Sequence, residues 1–127
     1  MAKLISTEQA PAAVGPYSQA LMAGNILFAS GQIPLSPETG EIVGTTAAEQ
    51  AEQVFANVKA VLAEAGLTMK DVVKTTVFLV DLSEFAAVNA VYAKHFEQPF
   101  PARSCVEISA LPKGARIECE VIAVKGE

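Results

Sequence analysis

Arg103 is the residue whose position points most directly to chemistry. It follows a proline in the segment FPARSCVEIS (residues 100–109), which has the composition of a strand with little other charge. A guanidinium group buried there without a partner would be costly, so an anion is expected opposite it. An ion pair within the chain, to Glu107 or Glu118, is the interpretation that spacing alone favours. The alternative is that Arg103 grips the carboxylate of a bound ligand through two parallel hydrogen bonds.

Glu118 and Glu120 are two carboxylates that project to one side of the otherwise apolar segment RIECEVIAV (residues 116–124). A carboxylate in apolar surroundings can act as a general base toward a water molecule, or can orient that water. A solvated face on an edge strand explains the same pattern equally well. Both interpretations stay open at the level of the sequence.

Three further residues are candidates for a site. Tyr17 follows Gly-Pro in a tight connection, so its ring is expected to be held in place, although a packing role is the commoner one. Gly31 lies in the middle of a predicted strand, where glycine often permits a bulge or a close backbone approach to a ligand. Asn89 interrupts the apolar face of a predicted helix, where a buried amide would need partners.

Several kinds of catalytic machinery are missing from the sequence. His95 is the only histidine, which excludes histidine-rich metal sites, and its place near a helix end suits a surface residue that complements the helix dipole. Cys105 has no histidine or basic cluster nearby to stabilise a thiolate. Cys105 and Cys119 both fall in strand-like segments without the spacing of a metal site, so we expect free thiols of a cytoplasmic protein. We predict no glycine-rich phosphate site, no metal and no cofactor.

Composition restricts the possible partners. Hydrophobic residues make up 51% of the 127 residues and charged residues 18%, against roughly 25% charged in an average soluble protein. This deficit suggests that surface is removed from water by self-association. The net charge is −5 and no stretch gathers lysine and arginine, which disfavours nucleic acids and anionic membranes as partners. No apolar run approaches the ~20 residues of a membrane span, and the first residues lack a signal-peptide core.

One domain over residues 1–127 is predicted, with element order βββ-α-β-α-ββ and an α+β fold. The first helix should start at a capping box formed by Thr46 and Glu49 and end at Gly66. Ser83 is the predicted cap of the second helix. The predicted strands cover residues 3–6, 18–24, 26–35, 72–80, 103–109 and 116–124.

The predicted sheet has apolar residues on both faces, although two helices can cover only one of them. In the fourth strand, Val73, Val77 and Leu79 alternate with Val72, Phe78 and Val80. An uncovered sheet face of this kind should be buried against another copy of the chain. We therefore predict a closed homo-oligomer.

Five segments together resemble the RidA subgroup of the Rid (YjgF-type) family, the reactive-intermediate deaminases: GPYSQA, SGQIPL, VKTTVFLVDL, FPARSCVEIS and LPKGARIECEVIAV. The resemblance runs in register over nearly the whole chain. It implies a chorismate-mutase-like fold, in which two α-helices pack on one face of a mixed β-sheet. It also implies a homotrimer with its sheets around an inner barrel and clefts between adjacent subunits. The implied activity is hydrolysis of 2-imino acids, such as 2-iminobutanoate and 2-iminopropanoate, to 2-keto acids and ammonia.

The resemblance also assigns roles to individual residues. Arg103 would bind the substrate carboxylate, Glu118 would place the attacking water, and Tyr17 would close the site. The remaining residues would contact the substrate or line the cleft: Cys105 through its backbone, and Ser30, Gly31 and Asn89. The expected partners are small 2-imino and 2-keto acids and other copies of the chain. A non-catalytic module that binds small carboxylates is the main alternative, since it would need Arg103 but not Glu118. Relatives also suggest a chaperone or a translation-inhibiting nuclease, and the negative charge makes the nuclease the least favoured.

Overall fold

Six strands form one sheet, and two helices pack against it, in the computed structural model, which describes residues 1–126. The predicted element order βββ-α-β-α-ββ is confirmed. Among these residues, no helix combines the length and the apolar character needed to cross a bilayer. The elements are β1 (Lys3–Ile5), β2 (Ala20–Ala23), β3 (Ile26–Gln32), α1 (Ala47–Glu64), β4 (Val72–Leu79), α2 (Phe85–His95), β5 (Ala102–Glu107) and β6 (Ile117–Val124).

The strands lie in the order β1-β2-β3-β6-β4-β5. Every neighbouring pair is antiparallel except β4 and β5, which are parallel. The sheet is therefore mixed, as expected, and the parallel pair is connected through α2, as parallel strands require a crossover. This topology places β5, which carries Arg103, at one edge of the sheet.

Helix α1 begins and ends where the sequence predicts. The Thr46 side chain accepts a hydrogen bond from the Glu49 N–H at 3.1 Å, and the Glu49 carboxylate accepts one from the Thr46 N–H at 3.3 Å, which completes the capping box. After the helix, Gly66 adopts a φ of +76°, a conformation that costs glycine little. The apolar stripe of the helix, including Val54 and Phe55, is fully buried against the sheet.

The start of α2 differs from the prediction that Ser83 caps it. The side-chain cap in this segment comes from Asp81, whose carboxylate accepts a hydrogen bond from the Ser83 N–H at 2.9 Å. This cap serves a short 3₁₀ turn, Leu82–Glu84, and α2 follows at Phe85 without a side-chain cap. The extra turn displaces the helix start beyond Ser83.

The two faces of the sheet are covered differently. On β6, alternate residues from Ile117 to Ala123 are buried under the helices, whereas Glu118 and Glu120 point to the opposite face. That opposite face has no helix against it in residues 1–126. It carries several large apolar side chains that are 37–60% exposed: Leu4, Leu21, Ile26, Phe28 and Val106. The apolar uncovered face predicted from the sequence is therefore present, and we call it the open face.

A bulge in β4 changes which of its valines lies inside. Val72 pairs with Ala123 and Lys74 with Ile122, so Val73 is one residue in excess of its partner strand. Such an insertion shifts the alternation of side chains by one. As a result Val72 is buried and Val73 is 48% exposed. The expectation that Val73 shares a face with Val77 was therefore wrong.

Candidate active site

Glu118 lies at a cavity of about 450 Å³ whose walls come from strand β3 and the connection that precedes β2. We call it the Glu118 cavity. Of the residues predicted for the site, it collects Tyr17, Ser30 and Gly31 beside Glu118. A side chain that the sequence did not single out, Gln19, also lines it.

Gly31 is a glycine because Glu118 occupies the space that a side chain would need. A Cβ atom at Gly31 would lie 2.6 Å from the Glu118 Cδ atom and 2.8 Å from Oε2. The β3–β6 pairing slips between Ala29 and Gln32, which is the bulge that a mid-strand glycine indicates. The predicted bulge is present, and the approach of a ligand to the Gly31 backbone stays a prediction. The group that approaches Gly31 in the structure is the carboxylate of Glu118.

The surroundings of Glu118 favour its protonated form more than water does. Burial raises the pKa of the carboxyl group, and the neighbouring negative charge of Glu120 raises this pKa further. Within residues 1–126, the structure gives the Glu118 carboxylate no ion pair. A half-buried carboxylate with a raised pKa is a stronger base toward water than a free glutamate.

Tyr17 and Ser30 are held mainly through the backbone of the connection before β2. The Tyr17 N–H donates to the Gly15 oxygen at 2.9 Å, and Gly15 has a φ of +128° that other residues rarely adopt. The Ser30 hydroxyl donates to the Ser18 oxygen at 2.6 Å. The Tyr17 ring remains 53% exposed. It therefore stands at the surface of the cavity rather than in the core.

Arg103 lies at a second cavity, of about 430 Å³, with Asn89 and Phe100 in its walls. We call it the Arg103 cavity. The guanidinium Nη1 donates a hydrogen bond to the Asn89 Oδ1 atom at 2.6 Å. The guanidinium carbon lies 4.7 Å from the centre of the Tyr92 ring and 5.3 Å from that of Phe85. These cation–π contacts with two rings hold the guanidinium in place, and no carboxylate of residues 1–126 pairs with it.

The ion pair within the chain that spacing favoured for Arg103 is not formed. No carboxylate of residues 1–126 lies within ion-pair distance of this guanidinium. Glu107 instead accepts a hydrogen bond from the Leu82 N–H at 2.9 Å, and Glu118 lies on the other face of the sheet. Arg103 is also exposed rather than buried, so water compensates the charge in the absence of a ligand.

Asn89 serves Arg103 in a way the sequence did not reveal. Its side chain is exposed, so the expectation of a buried amide was wrong. The exposure follows from its place at the edge of α2, beside β5 rather than over the centre of the sheet. Its carbonyl oxygen accepts from Arg103, and the amide therefore orients the guanidinium.

Cys105 presents its backbone, and not a reactive sulfur, to the sheet edge. Burial raises the pKa of its thiol, an effect that Arg103 offsets only in part. The Ile108 N–H donates to the Leu79 oxygen on β4, and backbone groups alternate in direction along a strand. The N–H of Cys105 consequently points away from β4, at the free edge of β5 near Arg103.

Tyr92 belongs to the buried core and also contacts Arg103. Its hydroxyl is hydrogen-bonded to the Thr75 hydroxyl at 2.9 Å, and one face of its ring lies under Arg103. Its helical spacing with Val88 and Phe96 is typical of a core residue and gives no sign of this second role. His95, by contrast, lies in neither cavity, and its Nε2 atom is 2.7 Å from the Glu52 carboxylate.

Arg103 and Glu118 do not face a common cavity within one chain. Arg103 pairs in register with Thr75, which is fully buried on the helix side, whereas Glu118 pairs with Phe78 on the open face. The predicted site residues are therefore separated into two groups. One group is Tyr17, Ser30, Gly31 and Glu118; the other is Arg103, Asn89 and Cys105.

Comparison with known proteins decides the family. The family model described as Endoribonuclease L-PSP matches residues 7–125. The chain belongs to this family. The 2-iminobutanoate/2-iminopropanoate deaminase of Escherichia coli (strain K12) is 54% identical over 128 residues, which cover 98% of this chain and 99% of the relative.

Solved structures of Endoribonuclease L-PSP family members agree closely with this chain. A protein of unknown function of the conserved Rid family, YyfA from Yersinia pestis, has a TM-score of 0.95 and 50% identity, over 98% of this chain and 99% of that one. RidA from an Antarctic bacterium, Psychrobacter sp., has a TM-score of 0.92 and 48% identity, over 96% and 98%. The resemblance to the Rid family and the fold class are thereby confirmed.

Proposed function

We propose that the chain hydrolyses 2-imino acids to 2-keto acids and ammonia, in a site that two subunits of a homotrimer share. The observation that carries the proposal is the exposed guanidinium of Arg103, which contacts two rings and an amide and has no carboxylate within ion-pair distance among residues 1–126. The deaminase name of the Escherichia coli relative, 54% identical over nearly its whole length, supports the same activity.

Arg103 binds the carboxylate of the imino acid. A planar guanidinium with one N–H engaged by Asn89 keeps further N–H groups for two parallel bonds to a carboxylate. The Cys105 N–H, at the free strand edge, adds a third donor to the same oxygen atoms. The substrate is thus held at one end, with its imine carbon directed away from β5.

Glu118 activates the water that attacks the imine carbon. A protonated imine is already electrophilic, so the step needs a correctly placed water and a base to take its proton. The water oxygen forms a bond to the imine carbon, and Glu118 accepts the proton. Glu118 returns this proton to the nitrogen of the resulting amino alcohol, the C–N bond breaks, and ammonia leaves. The remaining hydroxyl group passes its proton to the ammonia as the C=O bond of the keto acid forms, so that Glu118 ends as a carboxylate again. Holding the reacting groups in this geometry can supply several kcal/mol of the barrier reduction.

A site that uses both groups needs more than one chain, because Arg103 and Glu118 lie on opposite faces of the sheet, and we infer that the assembly is a homotrimer. A head-to-tail contact between different surfaces of identical subunits generates a closed ring when the rotation closes. Such a ring brings the Arg103 cavity of one subunit to the Glu118 cavity of the next. It also buries the exposed apolar residues of the open face, including Phe28 and Leu21. We place this assembly in the cytoplasm, where both free cysteines are expected to remain reduced.

Two other functions fit the chain less well. The family description names an endoribonuclease, but a net charge of −5 without a basic cluster offers little to neutralise phosphates. A module that only binds small carboxylates would use Arg103, yet it would gain nothing from an unpaired carboxylate with a raised pKa at Glu118. Glu118 therefore favours the enzyme over the binding module.

A coupled assay tests the proposed function. A threonine dehydratase generates the imine in situ, and ammonia and 2-ketobutyrate are measured as they form. The wild-type protein should accelerate their release, and Arg103→Ala should abolish the acceleration while circular dichroism shows the protein folded. If folded Arg103→Ala is as fast as wild type, Arg103 is not the carboxylate anchor. Light scattering measures the assembly in the same samples, and a stable monomer would contradict the shared site.

A further inference from the structure

Gln19 is a buried amide to which no role in binding or hydrolysis has yet been assigned. It is 4% exposed and lies directly before β2. Its side chain lines the Glu118 cavity, together with Tyr17, Ser30 and Gly31. A buried amide with four bonding positions is informative because each one must be satisfied by a specific neighbour.

The Gln19 side chain is hydrogen-bonded only to the backbone of the preceding connection. Its Oε1 accepts from the Thr7 N–H at 2.7 Å. Its Nε2 lies within hydrogen-bonding distance of three carbonyl oxygens, those of Thr7 at 3.0 Å, Ala10 at 3.4 Å and Pro11 at 2.7 Å. Residues 7–11 have no helix or strand partners of their own. One side chain therefore replaces the backbone pairing that this connection lacks.

The main chain of Gln19 is tied to the opposite wall of the cavity. Its carbonyl oxygen accepts from the Ser30 N–H at 2.9 Å, next to Gly31 and hence next to Glu118. The Gln19 side chain holds residues 7–11, and the Gln19 backbone is bonded to β3. In the chain, Tyr17 lies between residues 7–11 and Gln19.

We propose that Gln19 is a positioning residue that acts on catalysis through Tyr17. It fixes the connection at residues 7–11 relative to β3, so that the Tyr17 ring stays at the cavity that Glu118 also lines and limits the access of bulk water. This inference rests on the proposed deaminase function, because it assigns Gln19 a part in the same site. Gln19 does not contact the substrate.

A double-mutant cycle separates this role from a structural one. Gln19→Met keeps the length of the side chain and removes all of its hydrogen bonds. Tyr17→Ala removes the ring. Each change alone should lower kcat/KM in the coupled assay, Gln19→Met by about 10-fold. The double variant should be no slower than Tyr17→Ala alone, because a residue that acts through Tyr17 has nothing left to position.

Gln50→Met is the matched control. Gln50 is also a buried amide, 3% exposed, and it is bonded to the Gly44 oxygen and the Arg116 N–H, away from both cavities. Its substitution should lower the melting temperature as Gln19→Met does, but should leave kcat/KM within about 2-fold of wild type. A loss of activity in Gln50→Met equal to that in Gln19→Met would overturn the inference, since activity would then follow stability alone.

Other outcomes of the double-mutant cycle also show whether Gln19 acts through Tyr17. If the effects of Gln19→Met and Tyr17→Ala multiply, or if Tyr17→Ala is as fast as wild type, Gln19 does not act through Tyr17. Should Gln19→Met fail to assemble, Gln19→Glu replaces it in the cycle, since it keeps the shape and loses the donors to the carbonyl groups. If the wild type does not hydrolyse imines, the proposed function fails. The cycle is then measured on the affinity for 2-ketobutyrate, where multiplying effects would overturn the inference.

Discussion

Arg103 and Glu118 project from opposite faces of one six-stranded sheet. Their strand partners, Thr75 and Phe78, lie only three positions apart on β4 but on different sides of it. No rotation of either side chain can bring the two charges into one cavity of the same chain. A reaction that needs both groups must therefore use two chains.

Mixing two inactive variants should restore activity. Arg103→Ala and Glu118→Gln are each expected to be inactive, and the two are unfolded together and refolded at equal amounts. Any mixed trimer contains one interface with an intact Arg103 and an intact Glu118, so an even mixture should reach about a quarter of wild-type activity. The coupled assay measures it, and each variant refolded alone is the control. A mixture as inactive as its components would show that the site is not shared in this way.

Gly31→Ala should reduce turnover more than it reduces stability. A methyl group added at Gly31 would lie 2.6 Å from the Glu118 Cδ atom. Glu118 can rotate away, because the atoms that the methyl group meets are at the end of a flexible side chain. The displacement should lower kcat by about 100-fold, since misplacement by an ångström has effects of that size. The free energy of unfolding should fall by only about 1 kcal/mol. Denaturant titration and the coupled assay measure the two effects. If kcat falls only in proportion to the fraction of protein that unfolds, Gly31 serves the fold alone.

The sequence predicts those features that depend on neighbours along the chain. The capping box of Thr46 and Glu49, the glycine after α1 and the alternation on β6 are local, and all three are present. The side of β4 that Val73 faces depends on a bulge, which is defined only by pairing with β6. Local patterns could not show it.

For the site as well, the sequence predicts local features and misses those that depend on tertiary contacts. Gly31 carried a usable signal, because a glycine inside a strand has few explanations. The contact of Arg103 with Tyr92 had none, since it joins a helix to an edge strand and uses a residue whose spacing is that of the core. The hydrogen bonds of Gln19 likewise join segments that only the folded chain brings together.

Activity should fall as the pH drops through the raised pKa of Glu118. The carboxylate is the active form, and burial together with Glu120 makes it protonate at a higher pH than a free glutamate. Glu120→Gln removes the neighbouring negative charge, so it should lower the pKa of Glu118 and move the acid limb of the kcat/KM profile to lower pH. Glu41→Gln, which removes an exposed charge in a turn, is the control and should leave the limb in place. A limb that moves to higher pH in Glu120→Gln would contradict this assignment.

Arg103→Lys should fail as a substitute although it keeps the positive charge. An ammonium group cannot form two parallel bonds to a carboxylate, and it lacks the planar surface that stacks on Tyr92 and Phe85. The loss of one charged hydrogen bond is worth about 1.5–3 kcal/mol, which corresponds to roughly 10- to 160-fold in kcat/KM. The loss should appear mainly as a higher KM, because the carboxylate is bound in both the ground state and the transition state.

Arg116→Lys is the matched control for Arg103→Lys. Arg116 is held by Glu84, with Nε donating to the carboxylate at 2.7 Å, and Glu84 also accepts from the first N–H of α1, that of Ala47. This cluster joins α1 to β6 and lines neither of the two cavities. Arg116→Lys should therefore lower the melting temperature without raising KM. If both lysine variants raise KM equally, the guanidinium of Arg103 does not bind the substrate carboxylate specifically. Its lack of an ion pair within residues 1–126 would then need another explanation.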